Sequence, residues 1–249
     1  MDIITPKMIT KSTMFESYDD FVSAKLFAYT QVDPDIDIDI VNMEELVAYA
    51  AKVSNPSSSK QEDMSNAQKL IRYLIKHEHW SPLEMADAVI LFQTTRDISH
   101  QVIRHRSFTF QEFSQRYAEA LTKDDQAIKF VTSEARLQDY KNRQNSTPLE
   151  PDDWRQERWL EIQEDVARLA KESYKEAIDM GLAKEVARKI LPEGLTTTRA
   201  FMKGSIRSWV HYINLRSANG TQKEHIQLAK CIAEAVEKCF PMIKEFSNG

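Results

Sequence analysis

Apolar side chains recur along this chain at two spacings, every second residue in some stretches and every third or fourth in others, and the spacings predict its elements. Ile36, Ile38 and Ile40 alternate with Asp37 and Asp39, which predicts a strand with one apolar face. Residues 1–34 read as an irregular, partly stranded lead-in. From Asn42 to about residue 53 the spacing turns helical, with Leu46, Val47 and Ala50 inward. Ser59, Lys60, Gln61 and Glu62 form a capping-box pattern opening a second helix. Its apolar face carries Met64, Ala67, Leu70, Ile71, Leu74 and Ile75, and it stops near Pro82.

Residues 84–95, with Val89, Ile90, Leu91 and Phe92, predict a strand, 96–106 a helix and 112–117 an extended segment. Residues 124–153 mix Asn, Asp, Gln, Lys and Pro and predict a long surface connection. A long helix follows over 154–180, with Trp159, Ile162, Val166, Leu169, Ala170, Ala177 and Ile178 inward. After it come a short helix at 184–191 closed by Pro192, a strand at 196–202 and a helix at 205–215. The last helix is amphipathic and carries Ile226, Ala229, Ile232, Val236 and Phe240. Strands and helices do not alternate as in a doubly wound sheet. The expected fold is α+β, a mixed and mainly antiparallel sheet packed with several long helices.

Composition narrows the class. A chain of 249 residues, 42% apolar, can bury one sizeable core, so residues 1–249 are expected to form a single domain. No run approaches the roughly 20 apolar residues of a membrane span, and the N-terminus lacks the layout of a signal peptide, so a cytoplasmic protein is expected. The formal charge of −5 argues against a broad basic surface for nucleic acid but leaves room for a local arginine cluster around a small phosphorylated ligand. Cys231 and Cys239 lie eight positions apart on one helix, roughly 12 Å along its axis, too far for a disulfide. Neither has a catalytic neighbour, and both read as helix-face residues. The five glycines include no pair close enough for a phosphate-cradling loop, so any nucleotide must be held by side chains and helix ends.

The chemistry concentrates in residues 101–117. On a helix, Gln101, Arg104 and His105 share a face; on a strand, Glu112, Ser114 and Arg116 point together, opposite Phe113 and Tyr117. Two polar rows within a short loop of each other offer guanidiniums for phosphate, an amide for a base edge, a hydroxyl and a carboxylate. The plainer alternative makes Arg104, His105 and Arg106 cations at a helix C-terminus and Glu112 and Arg116 a surface pair.

Arg104-His105-Arg106 followed by seven residues and Ser114-Gln115-Arg116-Tyr117 resembles the signature of the flavin-dependent thymidylate synthases. The resemblance extends over about 42–227. His77 to Glu84, including Ser81, looks like the family's upstream element, Glu185 to Pro192 like its arginine-bearing element, and Ser205 to Arg216 like its closing element. Position by position, it implies that Gln101, Arg104, Glu112, Ser114, Gln115, Arg116, Arg188 and Arg216 contact dUMP. It implies equally that Ser81, Arg104, His105, Arg106, Glu112, Ser205, Arg207 and His211 contact FAD. Thr109, Ser205, His211 and Met85 depart from the commonest form of the pattern. His77 and His79 alone suggest a metal, but the family uses none.

The resemblance further implies reductive methylation of dUMP to dTMP, with 5,10-methylenetetrahydrofolate as carbon donor and NADPH as reductant through FAD. Arg216 is the expected catalytic residue, stabilising an electron-rich uracil without a cysteine adduct. It also implies a homotetramer with active sites shared between subunits. Two alternatives stand beside this reading: a binding module for nucleic acid or phosphopeptide built on Arg104, Arg106 and Arg116, and a flavin- or nucleotide-binding homologue without catalysis.

Overall fold

The computed structural model describes residues 15–53, 65–116 and 129–246. The capping box at 59–62, Met64, Tyr117 and residues 124–128 lie outside the described residues. The elements run β1 (Glu16–Ser17), α1 (Tyr18–Phe21), β2 (Ser23–Tyr29), α2 (Met43–Val53), α3 (Ala67–Lys76), β3 (Asp87–Thr95), α4 (Arg96–Val102) and β4 (Thr109–Glu112). They continue with β5 (Val131–Thr132), β6 (Arg136–Gln138), β7 (Ser146–Pro148), α5 (Trp154–Asp179), α6 (Lys184–Ala187), β8 (Thr197–Ser205), α7 (Ile206–Ser217) and α8 (Lys223–Glu237).

The main sheet is antiparallel throughout, in the order β2-β3-β8-β4. β3 and β8 pair over their whole length, from Asp87↔Ser205 to Thr95↔Thr197. Alternation along β3 puts Ala88, Ile90 and Phe92 in the core, where they meet Ala200 and Met202 of β8 and the apolar faces of α7 and α8. Trp209 of α7 is fully buried and donates its indole N–H to Ala88 O at 3.3 Å. A second, smaller core gathers Phe130, Ala167, Ala170, Tyr174, Ala177, Ala187 and Leu191 under α5. Among the described residues no helix is long and apolar enough to cross a membrane.

Several elements depart from the sequence reading. Residues 36–40 are not a strand: the N–H groups of Ile38 and Ile40 bond carbonyls two residues back, at 2.8 and 3.0 Å, in successive tight turns. The sheet's first strand is β2, inside the lead-in, and a register shift between Leu26 and Ala28 breaks the alternation that would have revealed it. α3 ends at Lys76 rather than near Pro82, where Glu78 takes a positive φ of 58°. α4 stops at Val102, leaving Arg104, His105 and Arg106 in the turns beyond it. The strand expected at 112–117 occupies Thr109–Glu112, followed by one more backbone bond from Phe113 N to Arg199 O.

The supposed surface connection at 124–153 holds buried Phe130, Val131 and Thr132 and the β6–β7 hairpin. α5 buries Gln163, Ala167, Ala170, Tyr174 and Ala177, while Trp159, Ile162, Val166 and Leu169 face outward, Leu169 being 63% exposed. Small residues win the inner face because Ala167 and Ala170 admit a close approach that the bulkier stripe does not.

Candidate active site

The segment after α4 is held by its aromatic end. Phe108 is buried, its ring edge-on to Trp209 at 4.6 Å and to Tyr212 at 5.9 Å. Two turns, closed by His105 N to Val102 O and Phe108 N to His105 O, join that anchor to α4. The turns leave Arg104 and Arg106 exposed and His105 half-buried. Neither arginine is paired with a carboxylate among the described residues, so both charges are available to an anion.

His105 turns inward to the last turn of α7. Arg216 Nε donates to His105 Nε2 at 2.9 Å, which places the imidazole proton on Nδ1. Burial, and then the Arg216 charge, hold His105 well below the usual histidine range, at about 4, so it is neutral at pH 7. The bond occupies Arg216 Nε and leaves its two Nη groups as a fork. Tyr212 lies edge-on to His105 at 4.8 Å, and its hydroxyl meets His225 Nε2 at 3.1 Å. His225 Nδ1 is 3.2 Å from Gln101 Oε1, and Gln101 Nε2 donates to Gln222 Oε1 at 2.9 Å. Burial, aided by Arg216 and His105, lowers His225 to about 3.

These two imidazoles give the fold an acid lability. Each has a folded pKa below its unfolded value of 6.5, so the unfolded chain binds protons that the native state refuses. Their contribution is fully present above pH 6.5 and is lost as pH falls towards 4. The urea midpoint is therefore expected to drop between pH 7 and pH 5, and His225→Gln should flatten that slope. Equal slopes in the two proteins would show that His225 is not held neutral.

Glu112, at the end of β4, accepts from Ser99 Oγ and Thr198 Oγ1, both at 3.0 Å and both on Oε1, with Arg96 Nη1 3.9 Å away. The other carboxylate oxygen has no hydrogen-bond partner among the described residues. Ser114 Oγ accepts from Arg116 N at 3.3 Å, and Gln115, only 4% exposed, has no partner for Nε2 among the described residues. Arg116 Nε pairs with Glu185 Oε2 at 3.4 Å, bringing 114–116 beside α6 and the 3₁₀ turn Arg188–Ile190 that carries Arg188.

A further group gathers at the start of α7. Ser205 caps the helix, accepting from Ser208 N at 3.3 Å. Arg207 Nη1 pairs with Glu84 Oε1 at 2.7 Å, and His211 packs on Trp80 with ring centroids 4.3 Å apart. Ser81 opens the 3₁₀ turn Ser81–Met85 that bears Glu84. The Ser205 hydrogen bond and Arg207 pull Glu84 below the usual carboxylate range. Arg207 and His211 thus share one face of α7, while Arg216 lies nine residues and roughly 13.5 Å further along, on the opposite side.

The chain therefore sorts most of the expected residues into three groups, with Arg104 and Arg106 exposed in the turns after α4 and Glu112 at the end of β4 outside them. Gln101, His105 and Arg216 come together at the C-terminal end of α7, Ser81, Ser205, Arg207 and His211 at its N-terminal end, and Ser114 to Arg116 with Arg188 beside α6. Tyr212, His225, Gln222, Ser99 and Thr198 were not foreseen. His225 sits in an apolar helical pattern and is indistinguishable there from a core histidine. Both thiols are shifted away from reactivity: burial raises Cys231, and pushes Cys239 up to about 11.

Comparison with known proteins adds an independent line. A family model described as thymidylate synthase complementing protein matches residues 38–242. A probable flavin-dependent thymidylate synthase of Paramecium bursaria Chlorella virus 1 is 46% identical over 222 residues, covering 89% of this chain and 97% of the relative. The chain belongs to the flavin-dependent thymidylate synthase family. A second member, from Synechocystis sp., is 40% identical over 223 residues, with the same coverage of 89% and 97%. The fold is similar to that of a UMP/dUMP methylase, PolB of Streptomyces cacaoi, in a crystal structure bound with 5-Br dUMP. Its TM-score is 0.73 at 22% identity, over 93% of this chain and 95% of that one.

Proposed function

We propose that the chain methylates the uracil of dUMP reductively to give dTMP, taking the carbon from 5,10-methylenetetrahydrofolate and reducing equivalents from NADPH through FAD. The observation that carries this reading is Arg216, held at Nε by a neutral histidine, its Nη fork without a partner among the described residues. A guanidinium remains charged at any working pH and can stabilise negative charge developing on a pyrimidine carbonyl. Uracil C5 then gains nucleophilicity without a thiol adduct, in keeping with two cysteines whose pKa values are raised. Gln101 supplies an amide beside that fork. Arg104 and Arg188, unpaired with a carboxylate among the described residues, suit a 5′-phosphate, as do Ser114, Gln115 and Arg116 beside α6.

The residues at the start of α7 and in the turn after α4 fit a flavin dinucleotide. Ser81 and Ser205 offer hydroxyls, Arg106 and Arg207 charges for the pyrophosphate, and His105 and His211 ring nitrogens, with Glu112 presenting one unengaged oxygen. FAD, when bound there, supplies the hydride chemistry that no side chain can. This chain's residues orient it and compensate its charge.

Residues 1–249 act as one domain of a cytoplasmic homotetramer in this reading. The outward stripe Trp159, Ile162, Val166 and Leu169 on α5 has the three-and-four spacing of a helix that packs against another, and supports assembly. Sharing sites between subunits would also let the groups at the two ends of α7, which one chain holds roughly 13.5 Å apart along the helix, serve one site. The purified protein is expected to be yellow, to scatter light as four chains of 28.9 kDa, and to release tritium from 5-labelled dUMP with NADPH and the folate. A colourless protein, or a yellow one that releases none, would refute the reading.

A further inference from the structure

Behind Gln101 stand two buried residues to which the family pattern gives no role, Tyr212 and His225, 1% and 0% exposed. We infer that His225 is a positioning residue that fixes the carboxamide of Gln101 with its free N–H towards the substrate. The inference rests on the proposal that Gln101 contacts dUMP.

The direction of each proton follows from the partners. Gln101 Oε1 carries only lone pairs, so the proton shared with His225 Nδ1 is the histidine's. A neutral His225 then has a bare Nε2, which accepts the Tyr212 hydroxyl. Gln101 Nε2 gives one hydrogen to Gln222 Oε1, and its second N–H has no partner among the described residues. The reverse order would make Tyr212 the acceptor and strand its hydroxyl proton in a fully buried position, a loss of the kind that buried polar groups avoid. The edge-on contact of Tyr212 with His105 prevents the phenol from swinging to another partner. Gln101 is therefore oriented with one N–H donor, unpartnered among the described residues, available to the ligand. The ligand atom it meets is an oxygen with lone pairs, on the pyrimidine ring or on the phosphate.

Calorimetric titration of the FAD-loaded enzyme with dUMP tests this. His225→Leu keeps bulk but removes the donor, and is expected to weaken dUMP binding about tenfold, the scale of one lost hydrogen bond. Its KM should rise by a similar factor while kcat falls much less. His225→Gln restores an N–H and should recover most of the affinity. On a Gln101→Ala background, His225→Leu should weaken binding no further. Tyr212→Phe, which deletes one oxygen, should weaken dUMP several-fold and carries the test if His225→Leu does not fold. Equal losses for His225→Leu and His225→Gln, or a full additional loss on the Gln101→Ala background, would overturn the inference. Unchanged dUMP affinity in Gln101→Ala itself would instead refute Gln101 as a substrate contact. Deoxyuridine separates the two oxygens: weakened equally with dUMP, it points to the ring; unaffected, to the phosphate.

Discussion

Replacing Arg216 by alanine is expected to slow dUMP methylation by roughly 10²–10³-fold or more while the protein stays folded and yellow. A unit charge near 4 Å is worth on the order of 4 kcal/mol at an effective dielectric of 20, so the guanidinium can carry a large share of the barrier but not all of it. Among the described residues the side chain bonds the protein through Nε, to His105. His105 loses the cation that helps hold it near 4, and its titration should move upward in an NMR pH series, short of 6.5 because burial remains. Arg216→Lys should fare little better, since one ammonium cannot hold His105 and present a planar fork together. Arg207→Ala, at the other end of the same helix, is expected to lose flavin on gel filtration. Turnover by Arg216→Ala within a few-fold of the parent would remove this residue from the chemistry.

Gly204→Ala should be the most damaging of the conservative core substitutions. A methyl group there would overlap Cδ1 and Cε1 of Phe108, the ring that anchors the turn bearing Arg104, His105 and Arg106. Gly204 is held by its pairing with Ala88, one step from the end of the β3–β8 ladder, and Phe108 is packed edge-on against Trp209. Overpacking of this kind costs about 1–3 kcal/mol, a fall in Tm of roughly 5–10 °C at the upper end. Because the displaced ring belongs to the site, dUMP affinity should fall with stability. Phe108→Leu in the same chain should recover part of both. An unchanged Tm in Gly204→Ala would show that Phe108 yields freely.

The sequence was most legible where local pattern and tertiary environment agree. β3, β8, α7 and α8 read correctly because one side of each meets the core, and the long helix α5 was found almost to the residue. Its inner face was found only in part: Ala170 and Ala177 are buried and Ile178 packs on the core as read, whereas Trp159, Ile162, Val166 and Leu169 face outward. That stripe reads as an error within one chain and as a contact surface in an assembly. Ile36, Ile38 and Ile40 alternate well but find no neighbouring strand, and β2 was hidden by its register shift. The Arg104 to Arg116 string was legible as a motif, whereas the helix end at Val102 was not, because nothing in Ile103-Arg104-His105 forbids another turn. His225 and Tyr212 could not be seen at all: their meaning lies in contacts across 13 and 124 positions of the chain.

α7 runs unbroken from Ile206 to Ser217, and its length acts as a gauge. The separation and angle between Arg207 and Arg216 are set by nine peptide units, so one inserted residue would lengthen the interval by about 1.5 Å and swing Arg216 by about 100° off His105. An insertion or deletion inside this rod would therefore shift the group at one of its ends against the group at the other.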